Sequence, residues 1–174
     1  KEDPWERVRL VSKLITKTPL RLIAGRVNTF EYNPPSMYRL FVERMAANGI
    51  REARISDEWN DFEGWKFRVG ECHRAGLASI LNLIYSVSPK HSDEYFAVRT
   101  RQAASLKPYR LCLKDPGGLL TPERAGALMP IVLQSAGGVA VEFHAHCNNG
   151  LAPLCYLEAV KLGIETLHTG IPPL

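Results

Sequence analysis

At 174 residues and 45% hydrophobic content, the chain is long enough to bury one sizeable core and has an ordinary globular composition. Its net charge of +4 is dispersed along the sequence, which gives a nucleic-acid or membrane-surface partner no basic run to act through. No apolar run reaches the roughly 18 residues that a bilayer span needs, and no signal-like N-terminus is read, so a cytoplasmic location is expected. Cys72, Cys112, Cys147 and Cys155 form no CxxC pair and read as small buried hydrophobes in a reducing compartment.

Taken in order, residues 1–17 carry Trp5, Val8, Leu10, Val11 and Leu14 at helical spacing, ending before Thr18-Pro19. Residues 20–27 predict a strand. Asn33-Pro-Pro-Ser36 breaks the chain ahead of a helical stripe, Met37, Leu40, Phe41 and Met45, closed by Asn48-Gly49. The unit then repeats: a strand at 52–56, a helix at 62–75 with Trp65, Val69 and Cys72 inward and Gly76 as its stop, and a strand at 78–87. A helix at 94–106 and a strand at 109–113 follow. Thr121-Pro122-Glu123 is a helix start, with a hydroxyl cap, proline in the first turn and an acid at the positive end of the helix dipole. Pro130 is expected to kink that helix and Gly137-Gly138 to end it. Strands at 139–143 and 164–169 flank a last helix at 151–162. Six strands alternating with helices predict a parallel α/β fold with right-handed crossovers.

In such folds chemistry gathers at the C-terminal ends of the strands, where two runs here become polar. The first ends in Lys114-Asp115-Pro-Gly-Gly and the second in His144-Ala-His146-Cys-Asn-Asn-Gly150. Two histidines two residues apart at a strand end leave the same face and suit one metal ion, zinc or manganese; the alternative is a pair hydrogen-bonded within a loop. Lys114 lies 30 residues before His144, at the matching end of the preceding strand. As an ordinary lysine it would pair with Asp115 or Glu142. Asp57, Asn60 and Asp61 follow the strand at 52–56 onto the same rim, with helix capping as the competing role. Tyr85, Ser86 and Ser88 end the strand at 78–87 as substrate hydrogen-bonders or loop formers. Cys147 reads as a residue near the metal site and not a ligand, and His73 and His168 as structural.

Lys114-Asp-x-x-Gly-Leu-Leu-Thr-Pro, followed after a helix by His144-x-His-x-x-x-Gly150, resembles the carboxyltransferase domain of biotin-dependent enzymes such as pyruvate carboxylase, the oxaloacetate decarboxylase alpha subunit and the transcarboxylase core subunit. Glu2-Asp-Pro-Trp-Glu-Arg, Thr18-Pro-Leu, Ala47-Asn-Gly-Ile50, Arg54-Ile-Ser-Asp-Glu-Trp-Asn-Asp61 and Ile84-Tyr-Ser-Val-Ser-Pro-Lys-His91 are similar to landmarks of that family in the same order, so the likeness covers nearly the whole chain. It implies a (β/α)8 TIM barrel, of which residues 1–174 hold about six βα units as one partial domain. It also implies a divalent metal held by a carbamylated Lys114, His144, His146 and an aspartate from a first strand with no counterpart here. Carbamylation needs the neutral amine, which a nearby cation favours. The family's Arg-Gly-x-Asn string, which takes the oxo-acid carboxylate, is exchanged to Gly25-Arg26-Val27-Asn28; a one-residue shift on a strand turns Arg26 toward the helix layer. Arg26, Asn28, Tyr85 and Ser88 are thus the candidate substrate contacts, and Lys114 and Asp57 the candidate catalytic groups.

The function implied is carboxyl transfer to or from a small oxo-acid, pyruvate or oxaloacetate, through a metal-stabilised enolate. No Met-Lys-Met biotinylation motif is read, so biotin is expected on a carrier domain or subunit. Two alternatives stand: an aldol or Claisen-type lyase or synthase, which shares the His-x-His end but lacks the carbamylated lysine, and a non-catalytic barrel homologue acting as a subunit. Open sheet edges predict a homo-oligomer or a partner chain.

Overall fold

A computed structural model describes residues 3–24 and 34–170. The chain opens on helix α1 (Pro4–Leu14), capped by the Asp3 side chain on the Trp5 amide, and enters strand β1 (Arg21–Ile23). Five further units follow: α2 (Pro35–Ala47), β2 (Glu52–Ile55), α3 (Phe62–Arg74), β3 (Ala78–Ile84), α4 (Asp93–Ser105), β4 (Arg110–Asp115), α5 (Pro122–Ser135), β5 (Val141–Ala145), α6 (Ala152–Lys161) and β6 (Thr166–Leu167). All six strands are parallel, in the order β1-β2-β3-β4-β5-β6. Sequential order without reversal is barrel topology, and six strands make a partial barrel.

The curl of the sheet is fixed by contacts that a flat sheet forbids. Arg21 on β1 reaches Glu142 on β5 at 2.6 Å, and Arg54 on β2 reaches His168 beyond β6 at 2.7 Å. Four strand spacings of ~4.8 Å would hold β1 and β5 about 19 Å apart in a flat sheet, farther than an arginine extends. The strands therefore wrap around a lumen.

Strand alternation divides the residues cleanly between the two faces. Ala53, Ile55, Leu81, Leu83, Leu111, Leu113, Val141 and Phe143 pack outward into the helix layer with Trp65, Phe96, Leu128 and Met129. The intervening positions, Arg54, Asn82, Cys112, Lys114, Glu142 and His144, share the inner face by register. Local signals set the helices: Asp61 and Thr121 each accept a first-turn amide as expected, and Ser92 does the same for α4. Helix α5 runs through Pro130 as one element, with that ring exposed.

Several expectations shift. Strand β3 stops at Ile84, short of the expected 87, and the strand expected at 164–169 pairs only over Thr166–Leu167. In α2 the buried residues are Tyr38 and Val42, whereas Met37 and Leu40 of the expected stripe are about half exposed. Strands β4 and β5 start and end later than the apolar runs, because polar Lys114, Asp115 and His144 stay paired in the sheet. No helix among the described residues is long and apolar enough to cross a membrane.

Candidate functional site

Parallel pairing of β4 with β5 sets Lys114 and His144 side by side in register, and His146 follows two residues later. The rings of His144 and His146 lie 5.1 Å apart between centroids. His144 is partly buried and His146 is exposed at the rim. The loop carrying His146 rests on the β4–α5 loop at Gly118, where a Cβ would come within 2.8 Å of the His146 carbonyl oxygen and 3.0 Å of the Asn148 nitrogen. Gly118 also has φ +64, so glycine answers both a steric and a backbone requirement.

The Lys114 amine donates to the Ser56 hydroxyl at 3.2 Å. Neither carboxylate expected as its partner pairs with it: Asp115, next along the strand, faces the opposite side, where its Oδ2 accepts the Leu120 amide, and Glu142 is engaged deeper in the lumen. Burial lowers the Lys114 pKa and the Arg54 guanidinium lowers it further, both favouring the neutral amine. Burial, with Arg54, also holds His144 neutral by bringing its pKa down to about 3. The Nε2 of His144 is buried and has no hydrogen-bond partner among the described residues.

Beneath this pair lies a charged network that reading the sequence did not identify as part of the site. Glu142 is fully buried and receives both terminal nitrogens of Arg21, at 2.6 and 2.9 Å, and Nε2 of His168 at 2.8 Å. Arg110 adds an ion pair at 3.4 Å. Burial alone would raise the Glu142 pKa, but the hydrogen bonds from His168 and Arg21 outweigh it and bring the value to about 2. Arg54 stands between the layers, with NH1 2.7 Å from His168 Nδ1 and 3.4 Å from His144 Nδ1. The only warning in the sequence was the period-two polar pattern at 52, 54 and 56 and at 142 and 144. Cys112, Glu142 and His168 hold their ligand atoms within 4.8 Å of one another. The guanidinium groups already on Glu142 occupy the role that a cation would take there.

Arg21, Arg54, His144, His146, His168 and Thr169 line a cleft of about 570 Å³ at the open side of the lumen. Other candidates stand elsewhere. Asp57 follows Ser56 toward the helix layer, where it pairs with Arg68 of α3 at 2.7 Å and accepts the Trp59 and Asp61 amides. Tyr85 is buried and stacks on Phe96 at 5.6 Å. Ser88 is exposed and shares a 2.7 Å hydrogen bond with His91. Cys147 is exposed beside His146. His73 bonds Ser79 at 2.9 Å, in a structural position. Arg26 and Asn28 lie outside the described residues.

A parallel sheet curled in sequential strand order, with histidines and a lysine at its C-terminal rim, is the architecture of part of a TIM barrel. No family model matches the sequence. Among individual proteins the chain is homologous to biotin-dependent carboxylase and carboxyltransferase subunits. It is 31% identical to a pyruvate carboxylase subunit of Methanothermobacter thermautotrophicus, over 99% of this chain and 31% of that protein. It is 30% identical to the 2-oxoglutarate carboxylase large subunit of Hydrogenobacter thermophilus, over 100% of this chain and 27% of that protein. With the methylmalonyl-CoA carboxyltransferase 5S subunit of Propionibacterium freudenreichii the identity is 26%, over 98% and 34%. The chain thus spans about a third of the length of these relatives. The fold matches the carboxyl transferase domain of Rhizobium etli pyruvate carboxylase with a TM-score of 0.88 at 24% identity, covering 95% of this chain and 29% of that one. A structure of that domain with pyruvate and biocytin gives a TM-score of 0.89.

Proposed function

We propose that this chain forms the metal-bearing rim of a biotin-dependent carboxyltransferase that acts on a small oxo-acid such as pyruvate or oxaloacetate. The observation that carries the reading is the in-register pairing of Lys114 with His144, with His146 two residues on and the Lys114 amine bonded to a neutral hydroxyl. The donor set suits a divalent ion, because His144 Nε2 is a buried nitrogen without a partner among the described residues and its ring is held neutral. His144, His146 and Lys114 as its carbamate would hold zinc or manganese, with a further carboxylate ligand drawn from outside this sequence. When bound, such an ion would supply Lewis acidity toward the oxo group of a substrate.

This chain's own residues do the rest by position and charge. Neutral Lys114 adds its nitrogen to carbon dioxide and loses one proton, which yields a carboxylate on a long arm. Burial and Arg54 favour the neutral amine that this step requires. Arg54, whose NH1 meets imidazole nitrogens while Arg21 is already paired with Glu142 and Glu52, gives the cleft a cation that suits a carboxylate-bearing substrate. At the rim His146, Thr169 and Gly170 are exposed, which leaves a path for biotin carried on another domain or subunit. Arg26 and Asn28 remain the proposed oxo-acid contacts outside the described residues. Asp57, ion-paired away from the lumen, is assigned a supporting role at the β2–α3 turn.

Elemental analysis and intact-mass measurement at neutral pH test the reading together. Wild type should hold near-stoichiometric metal and an added carbon dioxide, and Lys114→Ala should lose both. Metal-loaded protein with an unmodified Lys114 would instead favour a lyase, and protein that takes up no added zinc or manganese would leave a non-catalytic subunit.

A further inference from the structure

We propose that Tyr156 is a positioning residue for the His144 and His146 pair: its hydroxyl takes the place of one rung of the β5–β6 ladder at Ala145, holds the two strand ends apart, and fixes the backbone from which both histidines project. The inference rests on the metal site proposed above and adds to it a residue from the helix layer.

The pairing register identifies the missing rung. Strands β5 and β6 run in parallel with Phe143 opposite Leu167, and the His168 amide donates to the Phe143 carbonyl at 3.0 Å. The bonds of a parallel ladder are evenly spaced, so the next rung would run from the Ala145 amide to the His168 carbonyl. Tyr156 of α6 stands between those two groups. The Ala145 amide donates to its hydroxyl oxygen at 3.0 Å, and the hydroxyl donates to the His168 carbonyl at 2.6 Å. A backbone amide only donates and a carbonyl only accepts, which fixes the direction of both bonds. Two links thus replace the single link of about 2.9 Å that a direct rung would have. Strand β6 accordingly ends at Leu167, whereas β5 runs on to Ala145. On its other side β5 keeps its backbone pairing past that point, with the His146 amide on the Asp115 carbonyl at 2.9 Å.

Ala145 is the residue between the two histidines, and its amide and carbonyl belong to the peptide planes that join it to His144 and to His146. The Tyr156 oxygen meets both planes, 3.0 Å from the nitrogen and 3.3 Å from the carbonyl oxygen. Its ring lies edge-on against Phe143 of the same strand, with centroids 4.9 Å apart. Anchored on β5 by the ring and in the rung by the hydroxyl, Tyr156 sets how far the planes at Ala145 turn, and with them the directions in which His144 and His146 leave the backbone. Interrupted ladders at barrel rims re-aim side chains in the same way. The parted ends also open onto the cleft, whose lining includes Ala145, Leu167, His168 and Thr169. Packing α6 on the sheet needs only the ring, so the hydroxyl is what separates a positioning role from a packing one.

Tyr156→Phe keeps the ring and removes the rung. Site-resolved hydrogen exchange of metal-free protein should show the Ala145 amide of this variant exchanging at least about 10-fold faster than in the wild type, with Phe143 unchanged. Zinc affinity by chelator competition should fall about 10-fold, the lower end of what the outer partners of metal ligands contribute. A packing role alone would leave both where they are. In the wild type the Tyr156 hydroxyl proton should exchange slowly enough to give its own proton NMR resonance, with a nuclear Overhauser contact to the Ala145 amide. An Ala145 amide that keeps its wild-type rate in Tyr156→Phe, or zinc affinity that does not change, overturns the proposal. If Tyr156→Phe fails to fold, the wild-type spectrum decides, and a hydroxyl proton lost to fast exchange overturns it. Wild type that takes no zinc would defeat the metal-site reading alone, since the exchange rate and the hydroxyl resonance are read without metal.

Discussion

Two buried glutamates each tie arginines together, and they show how position governs what the same chemistry does. Glu142 sits in the lumen with no exposed side-chain surface and joins Arg21 and His168, which come from opposite ends of the curled sheet, with Arg110 of the neighbouring strand β4. Glu71 lies on α3 and joins Arg39 of the neighbouring α2 and Arg74 of its own last turn, with Arg74 passing on to Glu43. The arginines around Glu71 are about half exposed, whereas Arg21 and Arg110 are largely covered. Water competes for the outer cluster and not for the inner one, so the inner carboxylate spans the barrel while the outer one trims a helix seam.

The sharpest way to break this contrast is Glu142→Ala. Removing one partner strands Arg21, Arg110 and His168 without their carboxylate, and losing a buried partner costs about 3–5 kcal/mol. Denaturant titration should show the midpoint collapse. The same group sets an acid limb. Its folded value of about 2 lies below the 4.5 of the unfolded chain, so the unfolded state binds more protons between those values. The stabilisation is complete above pH 4.5 and is lost as pH falls toward 2. Burial and Arg54 depress His144 from 6.5 to about 3, and by the same sign it removes stability from pH 6.5 downward. In Glu142→Gln the limb below pH 4.5 should shrink while the limb that starts near 6.5 remains.

A smaller effect is expected where the network meets the rim. Gly118→Ala would put a methyl group 2.8 Å from the His146 carbonyl at φ +64, a strain of about 1–3 kcal/mol. The loop that bears His146 has to yield. Zinc affinity should therefore fall more than thermal stability does, and a variant with wild-type affinity would show that the loop gives way elsewhere.

The contrast between the two glutamates also marks where the sequence is legible. Six alternating units and the caps at Asp61 and Thr121 were readable because each depends on neighbours within a few positions. Lys114, His144 and His146 stood out as a spaced pattern at two strand ends. The Glu142, Arg54 and His168 network was hidden because its partners are 26 to 121 residues apart and meet only once the sheet has curled. His168 had no local pattern at all and read as structural. Tyr85 was expected within a strand over 78–87, yet β3 ends at Ile84 and the Tyr85 ring goes to Phe96 in the helix layer, a choice of face that a short apolar run does not reveal.

The smallest expected effect completes the comparison. Glu71→Ala removes hydrogen bonds to Arg39 at 3.0 and 3.1 Å and the pair with Arg74. The bond from Arg39 lowers the Glu71 pKa, burial opposes it, and Arg74 adds to the lowering. By count of contacts this cluster rivals the one at Glu142. Both its arginines keep access to water, however, and Arg74 retains Glu43 at 2.7 Å, so no cation is left buried and unpaired. The cost should be no more than about 1 kcal/mol and should shrink further in 1 M salt, where screening acts within about 3 Å. Denaturant midpoints of Glu71→Ala at low and high salt check this. A loss as large as that of Glu142→Ala would mean that the α2–α3 seam, and not the lumen, is where this fold is held together.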